Sequence, residues 1–114
     1  MHELSVCQAL VDQLADLARR EAAQRVTAAV LRVGPMSGIV PDLLLHAFPF
    51  ASAETVADGA ELRFEHAPVR VACRRCGAET DAEPGRLVCG ACGDWQTRLV
   101  SGDELLLVSV ELER

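Results

Sequence analysis

The sequence predicts a small α/β domain of two helices and about three strands, interrupted by a four-cysteine insert. Three observations carry this reading. Apolar residues near the N-terminus recur at helical spacing, two β-branched segments bracket the rest of the chain, and four cysteines form two Cys-x2-Cys pairs between those segments. The predicted division assigns 1–67 and 102–114 to the α/β domain and 68–101 to the inserted module.

From Leu4 to about Ala23, Cys7, Leu10, Val11, Leu14, Leu17 and Ala18 fall on one side of a helix, opposite Asp12, Gln13, Asp16, Arg19 and Arg20. This helix starts close to Met1, so Met1, His2 and Glu3 are expected beside a rigid element. Arg25 to Val33 is β-branched and apolar on both faces, which suits an interior strand, and Gly34-Pro35 stops it. After the Ser37-Gly38 turn, Pro41 fits a first helical position and Asp42 complements the positive helix end. Leu43 to about Ser52 continues that second helix, with Pro49 expected to kink it or mark its last turn.

Asp58-Gly59 turns the chain into a strand in which Leu62, Phe64 and His66 alternate with Glu61, Arg63 and Glu65, one side packed and the other wet. From Glu104 to Leu112 a final strand is expected, with Leu106, Val108, Val110 and Leu112 on one side. It is too hydrophobic for a minimal metal-stapled module, so it is expected to return to the main sheet.

Cys73-x2-Cys76 and Cys89-x2-Cys92 are separated by twelve residues, and Pro84-Gly85 can fold that interval back as a hairpin. Two facing knuckles give the tetrahedral four-sulfur shell that suits zinc, hence a zinc-ribbon-like module with four cysteine ligands. Gly77, Gly90 and Gly93 fall where backbone N–H groups must curl toward sulfur. Four thiolates leave no open position for water, which indicates a structural Zn2+ rather than a catalytic one. A redox dithiol or rubredoxin-like iron is the alternative use of such sulfurs. Arg74 and Arg75 are expected on the surface, offsetting thiolate charge or pairing with Glu79 and Asp81, and Trp95 is expected to pack on the knuckle. Cys7 reads as a small buried hydrophobe, and His46 and His66 read as ordinary helix and strand residues.

The formal net charge of −6 argues against nucleic acid, which requires clustered Lys and Arg. Four thiolates around one Zn2+ would add about −2. No apolar stretch is long enough to span a membrane, and the N-terminus lacks the basic flank of a signal peptide, so a cytoplasmic location is expected. A reducing compartment in turn favours metal over disulfide at paired knuckles. An acidic surface favours protein partners, and the first helix and an open sheet edge are the expected docking surfaces of a monomer or homodimer.

Met1-His2-Glu3 combined with the spaced cysteines resembles the HypA/HybF family of nickel metallochaperones in hydrogenase maturation. The resemblance runs the full length. It takes in the first helix, Val33-Gly34-x-x-Ser37-Gly38, Ala47-Phe48-x-Phe50, the CxxC-x12-CxxC module and Gly102-x-Glu104-Leu105. Pro35 and Pro49 stand where the family commonly has acidic residues, and Asp42 is the nearest substitute for an acid that some members place near Val40.

The resemblance implies that the α/β domain binds nickel through Met1, His2 and Glu3. It also implies Ni2+ as transferred cargo, a GTPase of the maturation pathway as partner, and the NiFe-hydrogenase large subunit precursor as client, with urease the client of some members. The Met1 amine, the His2 backbone nitrogen and the His2 imidazole can enclose one ion in short chelate rings, and the Glu3 backbone nitrogen or carboxylate is a further candidate. Nitrogen-rich square-planar or tetragonal sites suit Ni(II) or Cu(II). Protonation of histidine near its reference pKa of about 6.5 would compete with the ion.

Two other functions compete. A zinc-ribbon adaptor or regulatory protein would hold one ion and leave His2 dispensable. An enzyme would need a carboxylate pair, a nucleophile–base set or a phosphate-cradling loop, and no such set occurs at a meaningful spacing.

Overall fold

The computed structural model describes residues 3–114. The chain runs α1 (Glu3–Arg20), β1 (Arg25–Val33), α2 (Pro41–Ser52), β2 (Glu61–His66), β3 (Arg70–Cys73), β4 (Glu79–Asp81), β5 (Thr97–Ser101) and β6 (Leu105–Glu113). It divides into two compact units. One comprises the described residues up to Leu31 together with Ile39–Glu65 and Leu106–Arg114; the other comprises Arg32–Gly38 and His66–Leu105. The segment 32–38 thus clusters with the cysteine-bearing residues, whereas the division expected from sequence places it with the helices.

In the first unit α1 buries Cys7, Leu10, Val11, Leu14 and Ala18, the stripe its sequence period dictates. It ends earlier than its apolar pattern suggests, because Ala22 takes a left-handed conformation (φ 52°). Ala23 N–H then donates to Ala18 O at 2.9 Å and Ala22 N–H to Arg19 O at 3.2 Å, the paired bonds of a Schellman cap. Pro41 opens α2, Asp42 lies in its first turn, and Pro49 is accommodated in its last turn. Leu44 and Phe48 form the buried side of α2, which packs on α1.

The sheet of this unit has the order β2-β1-β6, so β1 is the interior strand its two apolar faces predict. Gln24 N–H donates to Glu113 O at 2.8 Å before β1, and Gly34 N–H donates to Glu104 O at 2.9 Å after it, so β6 runs antiparallel to β1. The final strand does return to this sheet, but its side chains are not disposed as expected. Leu106 and Val108 are 51% and 44% exposed, while Leu105, Leu107, Val110 and Leu112 are half-buried. Two facts explain this: β6 is an edge strand with one neighbour, and strict alternation breaks at Val108–Ser109, where both residues are exposed. On β2 only Leu62 is fully buried; Phe64 is half-buried and His66 is exposed.

The second unit holds a small antiparallel sheet of order β4-β3-β5, with Val71 opposite Thr80 on one side and Leu99 on the other. Val33, Ala67, Val69 and Val71 are its buried aliphatic residues, and Cys73 and Cys89 of the knuckles are buried as well. So small an aliphatic core is typical of a module that depends on a metal for its order.

Candidate metal centre

The knuckles are built alike. Cys73 N–H donates to Ala78 O at 2.8 Å and Gly77 N–H returns to Cys73 O at 3.1 Å. In the second knuckle, Cys89 N–H donates to Asp94 O and Gly93 N–H returns to Cys89 O, both at 2.9 Å. Gly77 and Gly93 have φ of 79° and 78°, a conformation that a side chain disfavours, which is why glycine follows each pair. Gly90 plays a different part from its two counterparts. Its backbone is not left-handed, its N–H donates to Thr80 Oγ1 at 2.8 Å, and an added Cβ would lie 3.1 Å from that side chain.

This folding aims two N–H groups at the first sulfur of each pair. Arg75 and Cys76 N–H both reach Cys73 Sγ at 3.3 Å, and Ala91 and Cys92 N–H reach Cys89 Sγ at 3.3 and 3.4 Å. Cys73 and Cys89 are buried, while Cys76 and Cys92 face solvent. All four sulfurs lie within 4.8 Å of one another, with Cys73 Sγ 3.7 Å from Cys92 Sγ and Cys76 Sγ 3.6 Å from Cys89 Sγ. Four sulfurs at about 2.3 Å from a tetrahedral zinc ion have edges of about 3.8 Å. The cluster therefore fits a closed four-sulfur ion, and its contacts are far longer than a disulfide.

The same geometry sets the charge of the sulfurs in the ion-free chain. The N–H groups of Cys92 and then Ala91 pull Cys89 down to about 6, and those of Cys76 and Arg75 hold Cys73 below the usual thiol range. At Cys92 the Asp94 N–H acts downward, but desolvation and the crowd of neighbouring sulfurs outweigh it and push the thiol up to about 12. Cys76 is likewise raised: the Ala78 N–H opposes the shift, and contact with Cys89 leads the influences that overcome it. Cys89 is thus mostly a thiolate in advance at neutral pH, and Cys92 keeps a proton for a cation to displace.

Several residues sit elsewhere than expected. Arg75 pairs with Asp94, Nη1 to Oδ2 at 3.1 Å, and it is Arg70 that meets Asp81 at 2.6 Å and Glu79 at 3.8 Å. Arg70 faces both acids because it stands opposite Asp81 in the β3–β4 register. Trp95 does not pack on the knuckle; it is 74% exposed. Asp94 is the residue that the sequence reading missed. Its carboxylate accepts from Gln96 N–H at 2.7 Å as well as from Arg75, and these two interactions, in that order, hold its pKa below the ordinary value. An acid just after a knuckle glycine was the available signal.

Cys7 is buried and donates to Leu44 O at 3.5 Å; burial first, and the Glu3 charge second, raise its thiol pKa. It is the buried hydrophobe expected of it, with a weak sulfur hydrogen bond. Glu3 is the first residue of α1, half-buried, whereas Met1 and His2, the other two residues of the expected nickel site, lie outside the described residues. His46 is exposed on α2 and His66 is exposed at the end of β2. No helix of the described residues is long and apolar enough to cross a membrane.

Fold and site together define an α/β metal-binding protein with a four-cysteine module. Comparisons with known proteins place it more closely. A family model described as "Hydrogenase/urease nickel incorporation, metallochaperone, hypA" matches residues 1–112. The hydrogenase maturation factor HypA of Nitrosospira multiformis is 46% identical over 112 residues, covering 98% of this chain and 97% of that protein. Its counterpart in Aquifex aeolicus is 39% identical over 113 residues, covering 99% and 98%. A solution structure of a HypA protein superposes with a TM-score of 0.77 at 25% identity, covering 98% of this chain and 96% of the other. The solution structure of the nickel metallochaperone HypA from Helicobacter pylori gives 0.73 at 23% identity, covering 99% and 98%, and so shares the fold. The chain belongs to the HypA family, whose described role is metal delivery and not catalysis.

Proposed function

We propose that the protein is a nickel metallochaperone of hydrogenase maturation. It binds Ni(II) at its N-terminus through Met1, His2 and Glu3. It passes the ion to the NiFe-hydrogenase large subunit precursor together with a GTPase of the same pathway. The observation that carries the reading is the family match over residues 1–112, which takes in both the Met1-His2-Glu3 opening and the cysteine module. The names of the relatives favour the hydrogenase branch of the family's described role over the urease branch.

The two metal sites have opposite character, and that suits the proposed division of labour. Zn2+ in the closed Cys73, Cys76, Cys89 and Cys92 shell is retained and orders its own unit, because every coordination position is filled by protein. Nickel held by a few terminal nitrogens, by contrast, can exchange ligands with a client. Metal analysis of the purified protein before and after nickel addition tests the reading. One zinc per chain that survives the treatment, plus one nickel that a chelator removes, is the expected result. Zinc alone, unchanged by nickel, would contradict it and leave a zinc-ribbon adaptor.

A further inference from the structure

We propose that Arg75 and Asp94 are positioning residues of the four-cysteine site, an ion pair that clasps one knuckle to the other and sets how tightly the metal is held. The inference rests on the zinc reading of that site and not on where nickel binds. The bonds that close each knuckle on itself shape the two loops but do not join them.

The joining contacts converge on one short segment. Arg75 lies between the cysteines of the first pair, and its Nη1 donates to Asp94 Oδ2 of the second knuckle at 3.1 Å. The other carboxylate oxygen, Oδ1, accepts from Gln96 N–H at 2.7 Å, and Gln96 O accepts from Arg74 N–H at 2.8 Å. Two consecutive residues of one knuckle are thus tied to the segment that follows the other, and the Asp94 carboxylate links both ties. The Asp94 side chain is 12% exposed against 75% for Arg75, so the carboxylate is the fixed member and the guanidinium closes onto it from solvent.

Both residues also reach the cysteines through their backbones. Arg75 N–H lies 3.3 Å from Cys73 Sγ, and Asp94 O accepts from Cys89 N–H at 2.9 Å. A shift of either residue therefore moves one of the two buried cysteines. The clasp keeps the sulfur pairs facing each other before an ion arrives and resists their parting when one leaves. Contacts that orient metal ligands from outside the coordination shell change affinity by about 10- to 100-fold. With one member exposed to solvent, the lower end of that range applies here.

The test is zinc binding and release by the native chain, Arg75→Gln, Asp94→Asn, the double variant and Arg75→Lys, read by competition with a chromophoric chelator. These substitutions leave every backbone contact in place, and asparagine keeps an oxygen for Gln96 N–H. Each of Arg75→Gln and Asp94→Asn should hold zinc about tenfold more weakly and release it faster. The double variant should be no weaker than either, because all three lose the same pair. Arg75→Lys should bind as the native chain does, since the ion pair uses a single N–H donor. Removing a positive and a negative charge from one place drives a purely electrostatic effect in opposite directions, so opposite shifts in the two single variants would overturn the proposal. Native affinity in both of them, additive losses in the double variant, or a lysine variant as weak as Arg75→Gln would overturn it as well. A native chain that holds no zinc would remove the zinc reading itself.

Discussion

Two N–H groups directed at the first sulfur of each pair lower its pKa, while neighbouring sulfurs and desolvation raise the second. Cys89 at about 6 is mostly ionised at neutral pH, and Cys92 at about 12 is not. Zinc loading at pH 7 should therefore release fewer than four protons per ion, because Cys89 is already mostly ionised. Calorimetry in buffers of different ionisation enthalpy counts them, and a value of four would mean that the N–H groups do not set the charge of Cys89. The stability consequence follows from the direction of each shift. For the ion-free chain, the contribution of Cys89 is fully present above the unfolded value of 9.0 and is lost as pH falls through about 6. That of Cys92 has the opposite sense, present below 9.0 and lost as pH rises toward about 12. The four ligands were legible in the sequence because spacing alone brings Cys-x2-Cys sulfurs to one ion. The partners of Arg70, Arg75 and Asp94 were not, because they depend on strand register and on knuckle backbone geometry that no local pattern announces. Trp95 was misplaced for a related reason: a large aromatic residue near a small core invites burial, but the knuckle has little apolar surface to offer it.

At the scale of elements, the end of α1 makes a quantitative prediction. Ala22 occupies the left-handed position of a Schellman cap, where a Cβ is unfavourable. Ala22→Gly should stabilise the protein by about 0.5–1 kcal/mol, the relief of that strain less the added freedom of the unfolded chain. A denaturation midpoint that falls would show the cap to be unstrained. Gly34 predicts the reverse. A Cβ there would run into the Gly102 carbonyl, which is backbone and cannot step aside. Gly34→Ala should therefore cost about 2 kcal/mol or more, within the range of overpacking, and unchanged stability would contradict the close approach. α1 and β2 were readable from their 3.6- and 2-residue periods, and β1 from its β-branched run with apolar residues on both faces, whereas the short strands β3, β4 and β5 carry no such pattern. The left-handed stop at Ala22 was hidden because alanine does not advertise it, and the exposure of Leu106 and Val108 was hidden because hydrophobicity does not distinguish an edge strand from an interior one.

The two compact units give the whole molecule its proposed economy: one unit ordered by aliphatic packing, the other by a retained ion. Cys89→Ser should lose zinc and broaden or shift the NMR signals of Arg32–Gly38 and His66–Leu105, while those of α1 and α2 persist because their core contains none of the four ligands. Full zinc retention with an unchanged spectrum would contradict that separation. The proposed delivery role predicts that the chain copurifies with the pathway GTPase and the hydrogenase precursor, and recovery of neither from a nickel-replete host would count against that role. Family and module were legible from the paired Cys-x2-Cys motifs and the Met1-His2-Glu3 opening, whereas the link of 32–38 to the cysteine unit was not, because the contacts that create it span distant parts of the chain. The central claim, an ion held by the chain terminus, is tested most directly by nickel titration of three zinc-loaded proteins: the native chain, His2→Ala, and a chain extended by one glycine before Met1. Tight nickel binding by the native chain, its loss in His2→Ala with zinc retained, and an altered coordination spectrum in the extended chain are the predicted results; equal affinities and identical spectra in all three would contradict it.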